Sequence, residues 1–146
     1  MRKFFQHIIS VSTSAGTFNF SMLIFRVALS LELMVVHGFK KIGIHVAEAE
    51  KVPNPLHLPE IINNAFAISA NLIFPVLVIL GLFTRIAILP ILAVTLTGYF
   101  VLHWNDALLI KDTPFMYSLS YLLIMVLGPG RYSVDYFIEN KTTHIK

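Results

Sequence analysis

The sequence predicts an all-α integral membrane protein, an up-down bundle of four transmembrane helices with both ends in the cytoplasm. Three observations lead there. Apolar residues make up 56% of the 146 and charged residues 13%, about half the ~25% of a soluble domain. A small soluble chain must cover a large surface with polar groups, and this one has too few. Four apolar stretches each approach the ~20 residues a helix needs to cross a ~30 Å hydrocarbon core. None alternates with period two, which disfavours a β-barrel. Helices remain, because in lipid the backbone must satisfy its own hydrogen bonds.

The first 17 residues form a basic lead-in. Met1-Arg2-Lys3 starts like a signal peptide, but the polar run Ser12-Thr13-Ser14 interrupts the apolar region and no clear cleavage site comes after it. The segment is read as uncleaved. The four-helix domain then runs over 18–135, and 136–146 is a cytoplasmic tail. The first helix, over 18–38, is apolar but contains Arg26 and Glu32. Next comes a loop over 39–60, with Pro53, Pro55 and Pro59 and charges of both signs. The second helix, over 61–84, carries no charge. A tight turn around Gly81 joins it to the third, over 86–105, with Thr84 as the expected cap. A polar connection over 105–112 leads to the fourth, over 113–130. Gly128-Pro129-Gly130 ends that helix sharply, since proline cannot continue its hydrogen bonding.

Lysine and arginine counts set the orientation. The inside carries Arg2, Lys3, Arg85, Arg131, Lys141 and Lys146, and the outside carries Lys40, Lys41, Lys51 and Lys111. The bias runs in the positive-inside direction. The net charge of +3 is small and scattered, so the pI near 9.3 reports topology and not nucleic-acid binding. With no cysteine, disulfides, thiolate metal sites and thiol nucleophiles are excluded.

Ionisable residues at membrane depth cost about 2.5–3.5 kcal/mol and usually face the bundle interior. Arg26 and Glu32 lie about 120° apart on a regular helix, so each needs a partner on another helix or in water. Arg26 and His37 are three turns apart and share a face. In this topology one level collects His37 and Lys41 from helix 1, Asn71 from helix 2, Tyr99 and His103 from helix 3, and Tyr117 and Tyr121 from helix 4. With Glu32 these form a polar outer half that would bind a ligand. The plainer account is that the tyrosines anchor the interface, the lysines snorkel and Asn71 joins helices. A haem held by His37 and His103 rests on two histidines alone and is weak. His45, Glu48, Glu50, His57 and Glu60 lack metal-ligand spacing and read as a solvated loop face.

Several motifs occur together in order. They are Arg26 with His37-Gly38-Phe39-Lys40-Lys41, Pro53-Asn54-Pro55-Leu56, Gly81-Leu82-Phe83-Thr84-Arg85, His103, and Gly128-Pro129-Gly130-Arg131-Tyr132-Ser133-Val134-Asp135. In these the chain resembles the DoxX family of small four-helix membrane proteins. Asn71 stands where many members carry a glutamate, Ser30 replaces a common glycine, and Glu32 is outside the pattern. The resemblance implies a bacterial cytoplasmic membrane protein linked to redox chemistry. One related subunit serves a thiosulfate:quinone oxidoreductase, and distant relatives act as membrane chaperones. It implies a quinone-linked subunit that works with a protein partner or a second copy and is not an enzyme alone. The alternatives are a non-catalytic scaffold or chaperone and an oligomeric small-molecule or metal-ion permease.

Overall fold

A computed structural model describes residues 13–143 of the chain. The lead-in over 1–12, and with it Arg2 and Lys3, lies outside the described residues, as does Lys146. Within them the fold is all-helical, with five helices and no strand. Helix α1 spans Ala15–Glu32 and continues through a π-helical turn, Leu33–Gly38, and a 3-10 turn, Phe39–Ile42. Helix α2 spans Glu60–Leu80 and α3 spans Thr84–Thr97, extended by a second π-helical turn, Gly98–Leu102. Helix α4 spans Leu108–Leu127 and α5 spans Val134–Thr143.

Several boundaries fall outside the expected ones for identifiable reasons. The polar run before residue 18 is the start of α1: Ser14 is its N-cap, and its side chain accepts the Thr17 N–H at 3.1 Å. Lys111 and Asp112 belong to the first turns of α4 and not to a connection. The tail is helical over Val134–Thr143.

Three segments are long and apolar enough to cross a bilayer: Ala15–Ile42, Glu60–Leu80 and Thr84–Leu102. Helix α4 has the length, at 20 residues, but Lys111, Asp112 and its serines and tyrosines make it less apolar. Successive helices run antiparallel. Arg26 meets the end of α2 at Val78 while Gly38 meets Asn71. Arg85 meets Met125, and Thr95 meets Ser118.

Lipid as solvent shows in which residues are inside. The core holds Met22, Leu33, Val78, Ile88, Ile91, Tyr121 and Ile124. Buried with it are Asn19, Arg26, Ser30, Asn71, Thr84, Thr95 and Ser118. Large apolar side chains such as Phe20, Ile24, Ile73, Leu89, Leu123 and Val126 are exposed. Without a hydrophobic drive between helices, small and polar residues make the contacts. Ser118 Oγ donates to Thr95 Oγ1 at 2.8 Å between α4 and α3. Tyr121 donates its hydroxyl proton to Ser30 Oγ at 3.3 Å between α4 and α1.

Pro75 lies inside α2. It has no N–H to offer the Asn71 carbonyl four residues earlier. Gly38 packs against that oxygen: a Cβ at position 38 would stand 2.7 Å from it and would overlap Leu72. Proline and glycine together let α1 and α2 approach closely.

Candidate functional site

The polar residues expected to share one outer pocket are divided by the structure into separate groups. The first lies where α1 and α4 face each other. The π-helical turn Leu33–Gly38 accommodates an extra residue and rotates the helix beyond it. Arg26 and His37 therefore do not point at the same neighbours, as a regular helix would have required. His37 meets Tyr117 edge to face, with ring centroids 5.4 Å apart and planes at 88°. Lys41 Nζ donates to the His37 carbonyl at 2.8 Å and ties down the end of the turn. Glu32 lies within electrostatic range of Tyr117. One turn deeper, the hydroxyl of Tyr121 is bound to Ser30.

Glu32 departs from expectation. It does not turn into the bundle but is exposed on the surface of α1. Its place is inside a segment of 28 residues long and apolar enough to cross a membrane. Helices α1 and α4 meet only sparsely, and His37 and Tyr117 meet across the seam between them.

The second group lies between α3 and α4. Tyr99 packs against Phe115, with centroids 5.6 Å apart. His103 Nδ1 is 2.7 Å from Asp106 Oδ2. Lys111 donates to the Trp104 carbonyl, and its ammonium is 5.3 Å from the Trp104 ring centroid and 5.9 Å from that of Tyr99. Tyr99 and His103 thus serve the connection between α3 and α4, apart from His37. Asn71 is buried between α1 and α2, where its Nδ2 donates to the Ala67 carbonyl at 2.7 Å. Beyond α1, Lys40 and Lys41 both approach Glu50, at 3.2 and 4.0 Å. Among the described residues no three His, Cys, Asp or Glu side chains gather as metal ligands.

The opposite end of the helices is locked by the sequence motifs. Arg26 is 1% exposed. Its Nη1 donates to the carbonyls of Val78 at 2.7 Å and Ile79 at 2.9 Å, and its Nη2 donates to that of Tyr132. These are carbonyls at or beyond helix ends, where the intrahelical partners run out. Gly81 sits at φ +68, and a Cβ there would collide with Ser133 and with Arg26 Nη1. The cap of α3 is not Thr84. Phe83 holds the cap position, and Asp135 of α5 supplies the acceptor. It takes the N–H groups of Phe83 and Thr84 at 2.7 and 2.9 Å and the Thr84 hydroxyl at 2.8 Å. Arg85 Nε donates to the Met125 carbonyl at 3.0 Å. Gly130 stands close to Asn19, whose Oδ1 accepts the Arg131 N–H at 2.8 Å. Sequence reasoning missed Asn19, because a lone asparagine near a polar run carries no signal of burial. Arg26, Gly81, Thr84, Arg85, Gly128, Pro129, Gly130, Arg131 and Asp135 thus build a structural clasp.

Comparison with known proteins bears on the part of the chain up to the end of α3. A family model described as DoxX matches residues 21–104. That span takes in Arg26, His37 and the α2–α3 turn but stops short of α4 and the closing Gly128–Asp135 segment. A Haemophilus influenzae protein described as uncharacterized is 28% identical over 95 residues, which is 62% of this chain and 63% of that protein. The alignment thus covers just under two-thirds of that relative's length. No solved structure matches.

Proposed function

The chain belongs to the DoxX family, and from that membership we propose that it is a quinone-linked subunit of a redox system in a bacterial cytoplasmic membrane. In this reading α1 to α4 cross the membrane as an up-down bundle with both ends inside. The clasp of Arg26 and Asp135 stands at the inner end, and His37, Lys41 and His103 stand at the outer. Helix α4, less apolar than the other three, packs along α3 and presents Leu119, Leu123 and Val126 to lipid.

One observation carries the reading. A carboxyl group, Glu32, is exposed on the surface of a segment long and apolar enough to cross a membrane, within electrostatic range of Tyr117 and just over one turn before His37. Such a placement costs about 2.5–3.5 kcal/mol, which a lipid-soluble ligand with hydrogen-bonding carbonyls would offset. A quinone fits. Its tail stays in the bilayer while its head enters the α1–α4 seam from the side. The Tyr117 hydroxyl and the His37 ring N–H are donors for its two carbonyls. Reduction of a quinone to a quinol takes two electrons and two protons. In this reading Glu32 and His37 pass protons to the two oxygens. In this reading the electrons come from a partner protein or a bound cofactor. The chain is therefore a binding and proton-handling subunit and not an enzyme alone.

The same exposed carboxyl favours a second reading, a scaffold whose partner helix donates a hydrogen bond to Glu32. Titration of the purified chain in nanodiscs with a short-chain ubiquinone separates the two. The quinone reading expects saturable binding beyond that of empty nanodiscs, weakened roughly tenfold or more by Glu32→Leu or His37→Ala. Partitioning equal to that of empty nanodiscs, with a partner protein lost from Glu32→Leu preparations but kept in Glu32→Gln ones, would establish the scaffold instead.

A further inference from the structure

The end of the molecule remote from Glu32 holds a cleft of about 500 Å³ between the Gly128-Pro129-Gly130 turn, the start of α3 and α5. Arg85 and Arg131 both line it and both are exposed. Each is steadied from behind. The Arg85 Nε bond to Met125 fixes its stem and lays the guanidinium over Gly128, where a Cβ would stand 3.6 Å from Nη2. The Arg131 guanidinium lies 5.9 Å from the Tyr136 ring centroid, and its backbone N–H is held by Asn19. The Asp135 carboxylate in the wall is already engaged by three donors. Glu139 stands at the rim.

The other walls are apolar. Phe18, Ile86 and Leu127 line the cleft and are also 38%, 65% and 46% exposed. On the same helices Phe25, Leu89, Leu123 and Val126 are likewise exposed. Because the spanning segment of α3 begins at Thr84, Arg85 stands at the depth where an apolar span gives way to headgroups. Two forked guanidinium groups suit the oxygens of a phosphate, and an apolar ramp suits the acyl chains attached to it.

We propose that this cleft binds the phosphate of an anionic phospholipid headgroup, with Arg85 and Arg131 as its ligands and Phe18, Ile86 and Leu127 against its acyl chains. The site is independent of the quinone reading, because it shares no residue with the α1–α4 seam.

The test uses the full chain reconstituted in vesicles of equal phosphatidylglycerol and phosphatidylcholine, extracted in mild detergent and washed. Phospholipid retained per chain is then measured by mass spectrometry. Phosphatidylglycerol should be retained in preference to phosphatidylcholine. Arg131→Gln, which keeps the backbone bond to Asn19, should lower that retention several-fold, and Arg85→Gln with Arg131→Gln should lower it roughly tenfold or more. Arg85→Lys loses the fork and the Nε bond to Met125 but keeps the charge, so it should retain less lipid than the wild type and clearly more than the double variant. Equal retention of the two lipids, or full retention by the double variant, overturns the proposal. So does loss in Arg85→Lys equal to that in the double variant, which would make the role of Arg85 structural. Displacement of the lipid by millimolar inorganic phosphate overturns the lipid assignment in favour of a free anion.

Discussion

Asp135 and Phe83 are 52 residues apart, yet the Asp135 carboxylate accepts the Phe83 N–H at 2.7 Å and holds a non-glycine residue in the left-handed region, at φ +46. A large side chain in that conformation is strained by roughly 1–2 kcal/mol. The carboxylate compensates by also taking the first N–H and hydroxyl of α3 at Thr84. Asp135→Ala should therefore cost about 2–3 kcal/mol, the range for a charged hydrogen-bonding group. The loss is read as a lower unfolding midpoint in detergent. Phe83→Gly in the Asp135→Ala background should recover about 1 kcal/mol by removing the strain. No recovery would show that the left-handed turn does not depend on Asp135.

Arg26 serves three carbonyls from two parts of the chain, Val78 and Ile79 at the end of α2 and Tyr132 before α5. Arg26→Met matches the apolar stem but leaves those oxygens without the donor. The expected cost is about 3 kcal/mol or more, since bonds from a charged donor contribute about 1.5–3 each and do not add fully. Arg26→Lys keeps the charge but not the fork and should fall between. Unfolding midpoints that rank wild type, Lys, Met bear this out, while an unchanged Met variant would refute it.

Gly38 and Gly98 both lie in helical backbone, but only Gly38 is pressed against a neighbour. A Cβ at Gly38 would stand 2.7 Å from the Asn71 carbonyl oxygen, whereas at Gly98 its nearest neighbour is Pro114 Cβ at 3.7 Å. Gly38→Ala should destabilise by about 1–3 kcal/mol through overpacking. Gly98→Ala should be neutral or stabilise by up to about 1 kcal/mol, because alanine is the better helix former. Equal effects in the two variants would mean that the α1–α2 approach yields easily.

The division between what could be read from the residues and what could not reflects the range of the interactions. Helical class and the apolar spans are set by composition and run length, and these survive in any arrangement of the helices. Arg26 could be read as needing a partner on another helix, because an ionisable group in lipid has few other outcomes. That its partners are carbonyls, and that Asp135 caps α3 in place of Thr84, depends on contacts across 52 residues or more. The side to which His37 points was hidden for a local reason. A π-helical turn leaves the hydrophobic pattern intact while shifting its phase, so regular spacing put His37 in line with Arg26 and the structure turns it to Tyr117. Glu32 misled in the opposite sense, since the general rule for charges in lipid pointed it inward.

Glu32 is where function and stability should separate. Its carboxyl group lies on the exposed surface of α1, so removing it deletes a cost of about 2.5–3.5 kcal/mol at membrane depth and breaks no packing of the core. Glu32→Leu should raise the unfolding midpoint in detergent or leave it unchanged. Glu32→Gln keeps a hydrogen-bonding group but cannot carry a proton, so it should retain much of the stability of the wild type. If Glu32 transfers a proton to a quinone, the Gln variant should slow quinone reduction in the reconstituted system more than it weakens quinone binding, and the Leu variant should lose both. A group that only joins helices predicts the reverse pattern, with Leu destabilising and Gln harmless in every assay. The pair of variants therefore distinguishes a residue kept for its chemistry from one kept for packing, because stability and turnover move in opposite directions only in the first case.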